Sequence, residues 1–209
     1  MRYHLFLLRH GASTGNQNAV RQGRLDYPLA PEGEAQIRHL GEHWHASGLS
    51  FDKIITSPLS RARHTAEILA DKLGVPLEED PLWLERHAGQ AQGHALDVGQ
   101  SFYDKDKRLL AYEPLYGDGE SLTDLHTRAT AALTAVLSRP PGIYLVVAHG
   151  GILGAAVRAA LGLQPTAWNI PVYIRFDNAS FAELILDDHH QTWSLMHVNA
   201  SAPPRTTAK

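Results

Sequence analysis

Two histidines in this chain stand where chemistry is usually done. His10 lies in Arg9-His10-Gly11, directly after the apolar run Tyr3-His4-Leu5-Phe6-Leu7-Leu8. His149 lies in His149-Gly150-Gly151, directly after Ile143-Tyr144-Leu145-Val146-Val147-Ala148. A neutral imidazole with a free lone pair is a nitrogen nucleophile and can form a covalent intermediate with phosphorus. Nearby cations keep it neutral by opposing its protonation. Gly11 lets backbone approach a ligand closely. Arg9, Asn16 and the run Gln22-Gly23-Arg24 supply a guanidinium, amides and backbone donors. Arg61 sits at the start of the helical stretch Ser57–Ala66. A helix N-terminus favours anions, and an arginine fork recognises phosphate at two points. Gly150 and Gly151 precede another helix and add amides to the same anion site.

These residues meet only if the elements place them together. Residues 3–8, 53–56 and 143–148 read as buried strands. Pro31 opens a helix with Glu32 and Glu34 in its first turn and Ile37, Leu40 and Trp44 facing inward; Gly48 ends it. Ser57-Pro58 reads as the cap of a second helix, whose stripe is Leu59, Ala62, Ala66, Leu69 and Leu73 and whose stop is Gly74. Residues 76–84 read as extended. Residues 85–119 read as irregular, with helical insertions near the site. Helices follow over about 120–137 and 152–161, and three more strands near 172–176, 180–186 and 193–198. The alternation predicts a three-layer α/β/α sandwich around a mostly parallel sheet. Ligands in such sheets bind beyond the carboxyl ends of the strands, where both histidines sit.

The ordered set Arg9-His10-Gly11, Asn16, Gly23, Arg61, Glu85 and His149-Gly150-Gly151 resembles the histidine phosphatase superfamily, also called phosphoglycerate mutase-like. The resemblance spans about Tyr3 to Asn199. It implies that His10 takes the phosphoryl group and that Arg9, Arg61 and His149 bind its oxygens, with a further hydrogen bond from Asn16. Gln22, Gly23 and Gly150 join the phosphate site. Positive charge concentrated where the transition state spreads negative charge is what such a reaction needs. The segment Leu84-Glu85-Arg86-His87-Ala88-Gly89 resembles the one that carries the family's acid, which implies Glu85 as proton donor. A bound phosphate dianion would oppose its ionisation. The carboxylate could then deprotonate a water. Gly117-Asp118-Gly119-Glu120-Ser121 resembles a later segment that opens a helix.

The resemblance implies a metal-independent phosphomonoester hydrolase, with two alternatives. One is a cofactor-dependent phosphoglycerate mutase; the other is a non-catalytic, phosphate-binding regulatory relative. Glu85-Arg86-His87 leans toward mutases. Ala88 stands where mutases typically carry tyrosine, and Arg108 stands alone where they carry paired arginines. Gly150-Gly151-Ile152 and Asn178-Ala179-Ser180 lean toward phosphatases. Ala12-Ser13 replaces the family's usual acid and hydroxyl.

Bulk properties agree. The 209 residues are expected to form a single domain over 1–209, fraying from about 201. Net charge is −3 with histidine neutral, which gives no reason to expect nucleic acid. With no cysteine, disulfides and thiolate metal sites are excluded. The apolar run near the start is too short for a signal peptide or a membrane span, so a cytoplasmic protein without membrane partners is expected. No metal or other cofactor is expected. The expected partner is a small-molecule phosphomonoester, and a homodimer stays open. His39, His43 and His45 on one helix, and His189-His190 in an acidic turn, read as solvated faces. No dinucleotide or P-loop motif occurs. Lys105-Asp106-Lys107-Arg108 reads as a solvated run at the pocket rim. Trp83, Trp168 and Trp193 read as core.

Overall fold

The computed structural model describes residues 2–97, 109–169 and 171–203. Six strands form one sheet in the order β3-β2-β4-β1-β5-β6. They are β1 (Arg2–Arg9), β2 (Lys53–Thr56), β3 (Leu77–Glu79), β4 (Ile143–Ala148), β5 (Phe181–Asp187) and β6 (Thr192–Ala200). The first four run parallel, and β5 and β6 complete the edge antiparallel. Side chains alternate across a strand, so each central strand feeds two cores. Leu5 and Leu7 of β1 pack with α4 (Leu122–Leu137) and α5 (Gly150–Ala160). Phe6 and Leu8 pack with α2 (Pro31–Ala46) and α3 (Ser60–Leu73). Tyr144 and Val146 against Leu145 and Val147 repeat the split on β4. The central strands are largely apolar because both faces are covered, which makes the expected α/β/α sandwich.

The helices begin and end much as their residues direct. Pro31 is at the first turn of α2 with Glu32 and Glu34, and Gly74 takes a left-handed φ of 67° to stop α3. Ser121 caps α4 by accepting from the Asp124 amide at 3.0 Å.

Several expectations need correction. Residues 172–176 form no strand. Both sides of β1 are taken, by β4 and β5, and the segment pairs with neither edge strand. The segment instead covers α5, with Phe176 buried and Tyr173 exposed. Ser57 does not cap α3, which starts at Ser60 behind Leu59 without a side-chain cap. Only residues 77–79 of the 76–84 stretch pair as a strand, and Pro81–Trp83 turns into a 3₁₀ helix. The loop after His10 holds a short helix, α1 (Thr14–Gln17). Of the tryptophans expected in the core, Trp83 is fully buried but Trp168 is 42% exposed. Between 85 and 119 the described residues hold one 3₁₀ turn, Gly89–Ala91; residues 98–108, with Arg108 and the basic run, lie outside the described residues. Ala202 packs against the α2–α3 core, and the Pro203 carbonyl lies 2.7 Å from His39 Nε2. Among the described residues, no helix is long and apolar enough to cross a membrane.

Candidate active site

The site is made where three neighbouring parallel strands end. In the register of β1 and β4, Arg9 faces Ala148, so the next residues, His10 and His149, emerge side by side. In the register of β2 and β4, Thr56 faces Val147, which brings Ser57 to the other side of His149. The imidazoles of His10 and His149 stand 5.1 Å apart, edge to face. Ser57 Oγ lies 2.8 Å from His149 Nε2.

His10 is 3% exposed, and its Nδ1 lies 2.7 Å from the Gly11 carbonyl. A carbonyl can only accept, so Nδ1 carries the proton and Nε2 keeps its lone pair. Burial first, then the Arg61 and Arg9 charges, hold this ring well below the usual histidine pKa, against the opposing pull of the Gly11 bond. Burial and Arg61 do the same to His149. Both rings are neutral at neutral pH.

The two guanidiniums are themselves desolvated. Arg61 is 1% exposed; its terminal nitrogens donate to Leu25 O at 2.9 Å and Gly23 O at 2.8 Å. Burial lowers its pKa to about 10, which leaves it charged at neutral pH. Arg9 donates to Phe176 O at 2.7 Å, and burial lowers its pKa too. Arg9 Nε, Arg61 Nε and His149 Nδ1 are buried with no hydrogen-bond partner among the described residues. Buried polar groups are rarely left unsatisfied. Three at one place mark a site for a polar, anionic guest.

The loop after His10 is fixed by its own bonds. Asn16 Oδ1 accepts from the Ser13 amide at 3.1 Å and from Asn178 Nδ2 at 3.2 Å, which leaves the Asn16 amide group as a donor. The Ser13 hydroxyl reaches Gln22 Oε1 at 2.9 Å. Gly23 holds φ at 52°, a left-handed turn that presents its carbonyl to Arg61.

Glu85 arrives from the other side. Its Oε2 accepts from the Gly151 amide at 3.1 Å, and its Oε1 from Ile152 at 3.2 Å and Arg86 at 2.7 Å. The carboxylate thus caps the N-terminus of α5, beside His149. Gly151 is required for that approach, since a Cβ there would collide with Glu85 Oε1. Arg128 on α4 holds the backbone in place, donating to Leu82 O at 2.8 Å and Leu84 O at 2.6 Å. Glu120 in turn grips Arg128 at 2.7 and 2.6 Å. Glu120 and Ser121 of the expected helix-opening segment therefore serve positioning and capping.

Together these residues enclose a crevice of about 570 Å³ whose wall includes Arg9, His10, Asn16, Gln22, Gly23, Arg61, Glu85 and Gly150. His149 is the one sequence-predicted site residue that does not line it; it lies fully buried behind His10. The sequence profile of the histidine phosphatase superfamily (branch 1) matches residues 5–200, nearly the whole chain. The chain belongs to that superfamily. It is 34% identical over 168 residues to a probable phosphoglycerate mutase GpmB of Citrobacter koseri, covering 78% of this chain and 76% of that protein. It is also 34% identical to an uncharacterized phosphatase PhoE of Bacillus subtilis, covering 76% and 78%. Among solved structures, a mycobacterial glucosyl-3-phosphoglycerate phosphatase in complex with VO3 superposes with a TM-score of 0.81 at 28% identity. That match covers 95% of this chain and 100% of the other. The chain is an enzyme of this superfamily.

Three site residues escape a reading of the sequence. Ser57 follows β2 directly, as His10 and His149 follow their strands, but a serine before proline reads as a cap. Asn178 donates to His10 O at 3.1 Å and Gly11 O at 3.3 Å and so pins the histidine loop. Arg21 lines the outer crevice with its guanidinium 5.0 Å from the Tyr116 ring centre, and nothing in the spacing marks it.

The neutral, buried histidines of this superfamily member carry a pH dependence of stability. The unfolded chain protonates these imidazoles below pH about 6.5, while the folded chain resists protonation. The unfolded state then binds more protons, so stability is full above that pH and falls below it. Urea unfolding is expected to show this decline between pH about 6.5 and about 5. The decline should be shallower in His10→Ala, by up to about 1.4 kcal/mol per pH unit. An unchanged slope would mean that His10 titrates normally in the fold.

Proposed function

We propose that the chain hydrolyses small phosphomonoesters through a phosphohistidine at His10, with Glu85 moving the protons. The observation that carries this reading is the 2.7 Å contact from His10 Nδ1 to the Gly11 carbonyl, which commits the proton to Nδ1 and leaves Nε2 as a fixed nucleophile. In the first half-reaction the Nε2 lone pair attacks phosphorus, the ester P–O bond breaks, and the leaving oxygen takes a proton from the Glu85 carboxyl. In the second, Glu85 removes a proton from water, the water oxygen attacks phosphorus, and the P–N bond breaks to restore His10. The sum is ester plus water to alcohol plus phosphate. Arg9 and Arg61 supply the positive charge for the transition state. With the Ser57 hydroxyl as donor across the 2.8 Å contact to His149 Nε2, the His149 proton would sit on Nδ1 for a phosphoryl oxygen. The test is phosphate release from p-nitrophenyl phosphate and a panel of small phosphomonoesters with EDTA present. Metal-independent release supports the reading, and none from any ester refutes it.

Glu85 acts from a position that Gly151 permits. Gly151→Ala is expected to push the carboxylate off the α5 terminus and lower kcat for alkyl phosphates by roughly tenfold to a hundredfold. Inorganic phosphate should still inhibit as before. Unchanged kcat would separate the capping position from catalysis.

A second reading is favoured by the mutase-named relatives at 34% identity: transfer between positions of a phosphoglycerate, primed by a bisphosphate. Ala88, at the mutase tyrosine position, is small and buried against Ala91, Leu115 and Tyr116, and the superposed neighbour is named as a phosphatase. Both support hydrolysis. Mutase activity would require the primer, whereas hydrolysis would not.

A further inference from the structure

A second cavity, of about 240 Å³, lies between α4, α5 and the residues 162–166, 171 and 172. Among the described residues its wall shares only Pro171 with the phosphoryl crevice. Arg158 on α5 and His126 on α4 face it, with Gln164 beside the His126 ring. Arg158 is 8% exposed and His126 9%. The guanidinium folds back along α5 into space left by Gly154, where an added Cβ would lie 3.6 Å from Arg158 Nη1. That nitrogen donates to the Val172 carbonyl at 3.1 Å. Among the described residues, no carboxylate lines the cavity. Burial, and then the charge of Arg86, oppose the Arg158 charge.

A buried guanidinium has five donors and no acceptor, and its charge is costly without a partner. The other deeply placed arginines each serve a visible purpose. Arg128 grips Glu120, and Arg9 and Arg61 line the crevice. The Arg158 charge selects an anion over a cation, burial and that charge hold His126 toward its neutral form, in which the ring can hydrogen-bond, and the volume suits a small guest. The apolar wall of Leu122, Leu163 and Pro165 lowers the local dielectric and strengthens the attraction.

We propose that the Arg158–His126 cavity is a second oxyanion site, separate from the phosphoryl crevice, which takes a small free oxyanion such as phosphate on the Arg158 fork. The test is a titration of the protein with inorganic phosphate, followed by the ring nitrogen resonances of its histidines. His10 and His149 report the crevice, and His126 reports the second site, so failure of one is distinct from failure of the other. His126 is expected to shift saturably within tens of millimolar phosphate. In Arg158→Met that response should be lost or weakened by roughly tenfold or more, while His10 and His149 respond as before and show the fold intact. If the methionine variant fails to fold, Arg158→Lys keeps the charge without the fork and should bind several-fold more weakly. A His126 signal that ignores phosphate, or that responds equally in the Arg158 variants, would overturn the site.

Discussion

His10→Ala is expected to leave a folded protein that binds phosphate and turns over nothing. Among the described residues the imidazole makes one hydrogen bond to the backbone, to the carbonyl of the next residue, so its removal breaks no link between elements. The strand end is held without it. The His10 amide donates to Ala148 O at 3.0 Å, and the His10 carbonyl accepts from Asn178 at 3.1 Å. Arg9 and Arg61 keep their own contacts to Phe176, Leu25 and Gly23, so the cationic cradle survives and phosphate should still raise the melting temperature. Removal of a covalent nucleophile typically costs on the order of 10⁴ or more in kcat. Wild-type protein quenched during turnover should carry an acid-labile phosphoryl group, and His10→Ala should carry none. Residual turnover near the wild-type rate, or a label that persists in the variant, would remove the covalent route while leaving the superfamily assignment untouched.

Much of this site is legible in the sequence because its chemistry sits at strand ends. The runs 3–8 and 143–148 are largely apolar, and 143–148 is followed at once by histidine, 3–8 after a single arginine. Adjacency is the missing step. Only the pairing of Arg9 with Ala148 and of Thr56 with Val147 puts His10, His149 and Ser57 in one row, and parallel register leaves no short-range signal. The local pattern therefore makes Ser57 a cap, when its partner is a histidine 92 positions away. The segment 172–176 misleads for a related reason. Val172, Tyr173 and Ile174 have strand composition, but β4 and β5 already flank β1, and Ile174 and Phe176 pack into the core on the α5 side instead. Trp168 misleads by size, since a large apolar side chain on a connecting loop need not reach the core. Glu85 can be named from its motif, but its seat on the α5 terminus depends on the Arg128 clasp, which comes from α4, far along the chain.

Glu85→Gln separates proton transfer from every other service of that side chain. Glutamine has the same length and can still accept from part of the set of backbone N–H groups, those of Arg86, Gly151 and Ile152, that now converge on the carboxylate. Its amide nitrogen cannot accept the remainder, so the α5 terminus loosens somewhat. That damage is blind to the substrate: it displaces His149 and the phosphoryl oxygens equally for any ester. Proton donation is not blind. An alkyl alkoxide is a poor leaving group and depends on the acid, whereas p-nitrophenolate leaves as a stable anion and hardly does. General acid catalysis of this kind is worth roughly 10²–10⁴-fold. The expected result is a loss of that order in kcat/KM for alkyl phosphates, and a loss of no more than about tenfold in kcat/KM for p-nitrophenyl phosphate. Because kcat/KM reports the steps up to departure of the alcohol, the ratio of the two losses measures the acid, and the structural part cancels. The second half-reaction adds a further signature. Once p-nitrophenolate has left, Glu85 is still needed to deprotonate the incoming water. The variant should therefore accumulate phosphohistidine on the aryl substrate and release a burst of p-nitrophenol before a slow steady state. Equal losses on both substrates with no burst would assign Glu85 to the architecture of the α5 terminus alone, and the proton donor would have to be sought elsewhere in the crevice.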